Sequence, residues 1–278
     1  MNSINFILNI KSKYILKYIF NDMIIKKKSL ELIKYNKAIQ KILELKFMDY
    51  KEFSGLYSSI EIEIIPKQNK YDDFINFDEE LNDYFHLYFD DNKKETDRTY
   101  LDKEDKITKI KIKIDYQVKS FYKLFYRCNC IESVYFKKFT RNNIINMGSM
   151  FMGCSSLKDI NIRKFITTNI INMRSMFYGC SSLKELNLSD FNTNNIIDMS
   201  YMFKGCSSLQ ELNLSNIKIS DKTNVNNMFI GCSSLKEINL SNVNINNVNN
   251  IRSMFNGCSE ELKNDIKLKF KYLKEEML

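Results

Sequence analysis

The stretch SYMFKGCSSLQELNLS, residues 200–215, decides the fold because close copies of it recur along the chain. Six cysteines fall at intervals of 26 residues, and a phenylalanine stands three positions before each of them. A period this strict is typical of stacked repeat proteins, in which each unit contacts only its neighbours. The cysteines are Cys128, Cys154, Cys180, Cys206, Cys232 and Cys258, and the phenylalanines are Phe125, Phe151, Phe177, Phe203, Phe229 and Phe255.

Each unit contains a segment with the pattern of a strand. In residues 181–189, SSLKELNLS, Leu186 and Leu188 alternate with polar residues, which places both on one face of a short strand. A single strand cannot bury its apolar face, but stacked copies about 4.8 Å apart form a continuous parallel sheet over a continuous core. The repeat therefore predicts an α/β solenoid with a parallel sheet.

The other half of the unit has helical spacing. Met199, Met202 and Phe203 are placed at i, i+3 and i+4, which predicts a single helical turn with these side chains in the core. Gly205 follows where such a turn should end, and glycine suits a left-handed terminating residue. Each unit is thus expected to have a strand and a turn of helix on opposite sides.

The unit LKELNLSDFNTNNIIDMSYMFKGCSSL, residues 183–209, resembles the 26-residue repeat of the BspA-type leucine-rich repeat proteins, known mainly from bacterial surface proteins and from protists. The resemblance covers about residues 121–258. It implies a leucine-rich-repeat solenoid with binding or adhesion roles and no shared catalytic residue. Adhesion at the cell surface is one functional alternative that follows from it.

Four segments are expected along the chain. They are an N-terminal helical segment (1–50), a β-rich N-terminal cap region (51–116), the leucine-rich-repeat solenoid (117–258) and a C-terminal capping helix (259–278). The cap region holds three segments that alternate at period two, IEIEIIP, YFHLYFD and ITKIKIKID. The third leads into the first repeat, so we expect it to open the repeat sheet. The capping helix follows from an apolar stripe of Leu262, Ile266, Phe270, Leu273 and Met277.

Residues 10–45 read as two helices. Their pattern, with Ile15, Leu16, Ile19 and Phe20 ahead of a Lys-Tyr-Asn-Lys motif, faintly resembles an F-box, a helical adaptor that docks onto ubiquitin-ligase scaffolds. The resemblance implies a substrate adaptor of a ubiquitin ligase. The alternative is that these helices cap or flank the solenoid.

The net charge of +8 is unevenly spread along the chain. Ten lysines lie between Lys11 and Lys46, whereas thirteen acidic residues lie between Asp72 and Asp105. The lysine-rich segment raises a third hypothesis, binding to nucleic acid or an anionic membrane, but nucleic acid is not the expected partner. No apolar run reaches the roughly 18 residues that a spanning helix needs. Without an evident signal peptide, we expect a cytoplasmic protein, with the cell surface as the alternative.

The repeated cysteine could be a reactive thiol, a metal ligand, half of a disulfide or a buried wall residue. In a parallel stack the Cβ atoms of successive cysteines point the same way, which disfavours disulfides. The one close pair is Cys128 with Cys130, and His86 is the one histidine, so zinc-type spacing is missing from the sequence. We therefore expect buried, unreactive thiols that act as small apolar side chains.

The functional prediction is a non-enzymatic scaffold for protein–protein interaction. The sequence contains no phosphate loop, metal cluster or nucleophile–base pattern, so we assign no catalytic, cofactor or metal residue. Outward side chains of the repeat strands form the candidate binding surface, together with a less regular first unit. The candidate residues are Tyr135, Lys137, Asp159, Asn161, Arg163, Glu185, Asn187, Glu211, Asn213, Glu237 and Asn239.

Overall fold

The computed structural model describes residues 58–115, 117–163, 165–238 and 253–269, together with Lys41. The chain divides into two compact units, residues 1–58 and residues 59–278, and the architecture below is that of the second. The helices predicted over residues 10–45 lie outside the described residues, apart from Lys41, which is helical.

Among the described residues, turn residues are more frequent than strand residues, and strands outnumber helices among the regular elements. In chain order the elements are β1 (Ile60–Pro66), a 3-10 helix (Glu79–Tyr84), β2 (Phe85–Phe89), β3 (Ile110–Ile114), β4 (Ile131–Lys138), β5 (Asp159–Asn161), β6 (Glu185–Asn187), β7 (Glu211–Asn213) and α1 (Glu260–Lys269). A mixed sheet has the strand order β2-β3-β1-β4-β5, and β6 pairs in parallel with β7. No described helix is long and apolar enough to cross a membrane.

Strand β1 connects the N-terminal β region to the first repeat strand, β4. It pairs antiparallel with β3 on one side and with β4 on the other, while β4 pairs in parallel with β5. The prediction that β3 opens the repeat sheet is therefore wrong. It relied on closeness in sequence, but residues 117–130 form the non-strand half of the first unit and separate β3 from β4.

Equivalent residues of successive 26-residue units lie directly next to each other. Glu185 pairs with Glu211 in the parallel register of β6 and β7, and isolated parallel bridges link Asn146 to Asn172 and onward at the same interval. This stacking supports the leucine-rich-repeat solenoid, which stays a proposal.

The segment expected to be a helical turn is a series of tight turns instead. Met199, Met202 and Phe203 are buried as predicted, but Tyr201 has a left-handed backbone with φ of 59°. Gly205 is also left-handed, as expected, with φ of 74°. The N–H groups of Met199, Tyr201, Phe203 and Gly205 donate to carbonyls of the following unit at 2.7 to 3.0 Å. In an α-helix these groups would bond within the same segment, to the residue four positions back.

Every second peptide group of this segment bridges two neighbouring units. The carbonyl of Met202 accepts a hydrogen bond from Phe177, and the N–H of Phe203, in the same peptide group, donates to Met228; both distances are 2.9 Å. The pattern recurs from unit to unit, so the peptide groups form hydrogen-bonded columns along the stack. Each column satisfies backbone groups that would otherwise be buried without partners.

Asn76 closes the N-terminal end of two of these columns. Its backbone N–H donates to the carbonyl of Leu124 at 2.7 Å, and its side-chain Nδ2 donates to the carbonyl of Tyr126 at 3.0 Å. These carbonyls belong to the first unit and have no preceding unit to donate to them. Asn76 lies in the acidic segment before β2, and sequence reasoning missed this role.

A column of stacked phenylalanine rings runs through the core. Neighbouring ring centroids are 5.2 to 5.8 Å apart, and the rings are nearly parallel. Phe203 lies between Phe177 at 5.8 Å and Phe229 at 5.5 Å, and it is fully buried. Offset stacking of this kind adds to the gain from burial alone.

The cysteines line the core beside this column. All seven are free and buried, which confirms the prediction that they are core residues. The Cys206 thiol donates to the carbonyl of Phe177 at 3.0 Å, and the corresponding bond recurs in the other units from Cys154 onward. Burial raises the pKa of Cys206 to about 12 and that of Cys258 to about 11. The thiols therefore stay protonated at neutral pH and are poor nucleophiles.

Helix α1 follows the last described cysteine. Its residues Leu262 and Ile266 are fully buried, as the apolar stripe predicts. The remaining members of the stripe, Phe270, Leu273 and Met277, lie outside the described residues. The capping role of this helix stays a prediction.

Candidate functional site

Eight of the predicted binding residues line one open depression of about 490 Å³. We call this surface the strand face. Its predicted members are Tyr135, Asp159, Asn161, Arg163, Glu185, Asn187, Glu211 and Asn213, and Ile160 and Leu186 also contribute. The strands bring them together because β4 to β7 carry one equivalent set of side chains per unit.

The pairing register sorts these side chains into columns. Asp159 lies opposite Ser133, and Glu185 lies opposite Glu211, so an acidic column begins only at the second unit. Tyr135 lies opposite Asn161 and begins the neighbouring column of asparagines. The first unit thus replaces an acid by a serine and an amide by a phenol, which makes this end of the strand face chemically distinct.

Tyr135 is fixed in place by its neighbours. Its hydroxyl donates to Asp159 Oδ2 at 2.7 Å, and this hydrogen bond raises the pKa of the Tyr135 phenol. Lys137 Nζ lies 5.1 Å from the centroid of the Tyr135 ring and 2.9 Å from Glu63 Oε1. The ion pair with Glu63 of β1 holds Lys137 beside the depression rather than in its lining. Sequence reasoning did not find Glu63 because β1 is far from Lys137 in the sequence.

The acidic character continues toward α1. Glu237 lies outside the first depression but lines a second one of about 490 Å³, which shares Glu211 with the first. Glu261 and Asp265 of α1 also line it. No repeat pattern could assign these two helix residues to the surface. The last predicted site residue, Asn239, lies outside the described residues.

The lysines next to the acidic column do not all neutralise it. Lys158 Nζ lies 2.6 Å from Glu132 Oε1 of the preceding unit, so this lysine pairs with an acid outside the column. The carboxylates of Asp159, Glu185 and Glu211 are exposed. Like charges spaced by one strand repel each other, so a surface of this kind favours cationic groups.

A polar cluster that sequence reasoning missed surrounds His86 on β2. Nδ1 lies 2.8 Å from Glu95 Oε1, and Nε2 lies 3.5 Å from Asp115 Oδ2. Glu95 follows the histidine by nine residues and Asp115 comes from the end of β3, so no short sequence motif marks this cluster. This geometry orients the ring. Within the described ranges, no group of three or more His, Cys, Asp and Glu side chains is placed to hold a metal ion.

Comparison with known proteins gives one finding. Two overlapping stretches, residues 104–210 and 145–268, match the family described as Mycoplasma protein of unknown function, DUF285, whose repeats are related to those of BspA-like surface proteins. No curated protein and no solved structure matches the chain. The F-box resemblance falls on residues 10–45 and has no support from the comparisons. Because the matches together cover residues 104–268, more than half of the 278 residues, the chain belongs to the DUF285 family.

Proposed function

We propose that the chain is a non-enzymatic scaffold, built as a leucine-rich-repeat solenoid, whose strand face binds a protein partner. The observation that carries the proposal is that side chains from four successive units line one continuous depression. A shallow surface that extends along the stack suits a loop or an extended segment of a protein better than a small molecule, because small-molecule sites are enclosed and mostly apolar.

The charges of the strand face indicate the chemistry of that segment. Asp159, Glu185 and Glu211 recur at one position per unit, and a Lys or Arg side chain placed between two of them relieves their repulsion. Tyr135 supplies an aromatic anchor that Asp159 already holds in place. Rigid aromatic anchors dominate the energetics of many interfaces. We therefore infer a partner segment with basic residues.

The test is affinity capture with the tagged full-length chain from its own cells. We compare the natural chain with a Glu185→Ala, Glu211→Ala double variant and with a control, Glu79→Ala with Glu80→Ala, that removes the same charge from the exposed 3-10 helix. We expect at least one protein that the natural chain and the control retain and that the strand-face variant retains about tenfold less. Retention of the same proteins by all three chains would remove the strand face as the binding surface.

The family match favours a second version of this function, adhesion at the cell surface, in which the strand face engages a protein outside the cell. The same experiment separates the two versions if intact cells are treated with trypsin before lysis. A chain at the surface is cleaved by this treatment, whereas a cytoplasmic chain is captured intact.

A further inference from the structure

A second surface with different chemistry lies on the turn half of the units. In the first unit, Lys123 Nζ lies 5.2 Å from the ring centroid of Tyr122 and 5.3 Å from that of Tyr126. Arg127 Cζ lies 5.3 Å from the Tyr126 ring. Lys123 and Arg127 are exposed, and so is half of Tyr122. Two exposed cations are thus held against one exposed and one partly buried tyrosine ring.

A similar set of contacts spans the third and fourth units, with tyrosines and cations at exchanged positions. Lys204 Nζ lies 5.5 Å from the Tyr178 ring and 5.4 Å from the Tyr201 ring, and Arg174 Cζ lies 5.0 Å from the Tyr201 ring. Lys204 and Tyr178 occupy equivalent positions of neighbouring units. We call this cluster and the first one together the tyrosine–cation edge.

The unit between the two clusters has small or apolar side chains at the matching positions. Gly148, Ser149, Met152 and Gly153 stand where the first unit has Tyr122, Lys123, Tyr126 and Arg127. Two units correspond to about 10 Å along the stack. The edge therefore has two groups of protruding cationic side chains, separated by a unit whose side chains at these positions are short or apolar.

The edge has an excess of positive charge. Among the described residues, Asp198 is the one carboxylate within ion-pair distance of its four cations, and it lies 3.6 Å from Arg174. The strand face, by contrast, carries the acidic column. The two surfaces therefore fit partners of opposite charge.

We propose that the tyrosine–cation edge binds a linear acidic polysaccharide. A cation already held against a ring loses less conformational entropy when it meets an anion, and the tyrosine hydroxyl groups can bond to sugar hydroxyls. Charges on such a chain recur at intervals of one or two sugar rings, which suits two groups of cationic side chains with a gap between them. This inference does not depend on the strand-face function, because it concerns other residues and another class of partner.

A single-stranded nucleic acid fits this edge less well. Proteins that bind single strands stack the bases on open aromatic faces. Here the rings of Tyr126 and Tyr201 each have two cations within about 5.4 Å of the centroid, so much of their surface is taken. The cations, not the ring faces, are what this edge offers to a ligand.

The test uses the purified full-length chain and a labelled heparin oligosaccharide as the probe. We compare Lys123→Ala with Lys204→Ala against a control, Lys158→Ala with Lys236→Ala, that removes equal charge from the strand side. We expect the edge variant to lose about tenfold in affinity and the control to lose less than about twofold. The variant Lys123→Arg with Lys204→Arg should bind like the natural chain. Equal losses in the edge variant and the control would overturn the proposal.

A variant that replaces the tyrosine rings distinguishes the effect of positioned cations on affinity from the effect of net charge. Tyr126→Leu with Tyr201→Leu keeps every charge but removes the rings that position Lys123, Arg127, Arg174 and Lys204. We expect it to lose about threefold or more in heparin affinity with an unchanged circular dichroism spectrum. Unchanged affinity, or equally tight binding of an oligothymidylate of matched charge that the same variants weaken, would overturn the proposal in favour of simple charge attraction or of single-stranded nucleic acid.

Discussion

Replacing Phe203 with alanine is expected to lower the free energy of unfolding by about 3 to 5 kcal/mol. The ring is fully buried and stacks on Phe177 and Phe229, so its removal leaves a cavity that affects the units on both sides. In a stack where each unit contacts only its neighbours, this change should also weaken the coupling between the two halves. Urea unfolding followed by circular dichroism should show a lower midpoint and a broader transition.

Phe255 provides the matched control for this experiment. It belongs to the same column and is fully buried, but in the described residues it stacks on one ring only, Phe229 at 5.4 Å. Phe255→Ala should therefore cost less than Phe203→Ala and should leave the transition sharp. Equal costs with equally sharp transitions would contradict the idea that the phenylalanine column couples the units.

Alkaline pH is expected to unfold the protein cooperatively, because the core holds seven protonated thiols. Burial raises the pKa of Cys130 and of Cys206 to about 12, while an unfolded cysteine titrates near 8.5. Between these values the folded state keeps protons that the unfolded state loses. This contribution to stability is thus fully present below about pH 8.5 and is lost as the pH rises toward the folded pKa.

The expected size of the effect follows from the number of thiols. Each one costs about 1.4 kcal/mol of stability per pH unit in this window, so seven together cost on the order of 10 kcal/mol per unit. Since domains have about 5 to 15 kcal/mol of stability, unfolding is expected near pH 10. Thiolate absorbance should rise in the same step in which the circular dichroism signal is lost.

Two comparisons check the cause of alkaline unfolding. Cys206→Ala should be less stable at neutral pH but should lose stability less steeply with rising pH. A thiol reagent applied to the native chain at neutral pH should label the cysteines only after denaturant is added. Thiolates that titrate near pH 8.5 before any loss of structure would contradict the account.

The sequence predicted which side chains are buried better than it predicted how the backbone buries them. The 26-residue period alone placed Phe203 and Cys206 in the core, since only stacked units bury the same position every time. The spacing of Met199, Met202 and Phe203 is shared by a helical turn and by the turns found here. No local signal marks Tyr201, a residue other than glycine, for a left-handed backbone.

Long-range contacts account for the other differences. The pairing of β1 with β4 and the closing of two peptide columns by Asn76 join segments about 50 or more residues apart, which local patterns do not encode. The strand face was accessible from sequence because the repeat period also fixes its columns. The repeat period could not reveal the contributing residues that come from outside the repeats, which are Glu63, Glu261 and the carboxylates around His86.

The central claim, that 26-residue units stack into a solenoid, is tested most directly by deleting one whole unit. Removal of residues 181–206 joins Cys180 to Ser207 and restores the repeat register, whereas removal of residues 181–193 breaks it. We expect the first deletion to unfold cooperatively in urea with a native-like circular dichroism spectrum and moderately lower stability, and the second to be largely unfolded. Equal disruption by the two deletions would contradict a stack of interchangeable units.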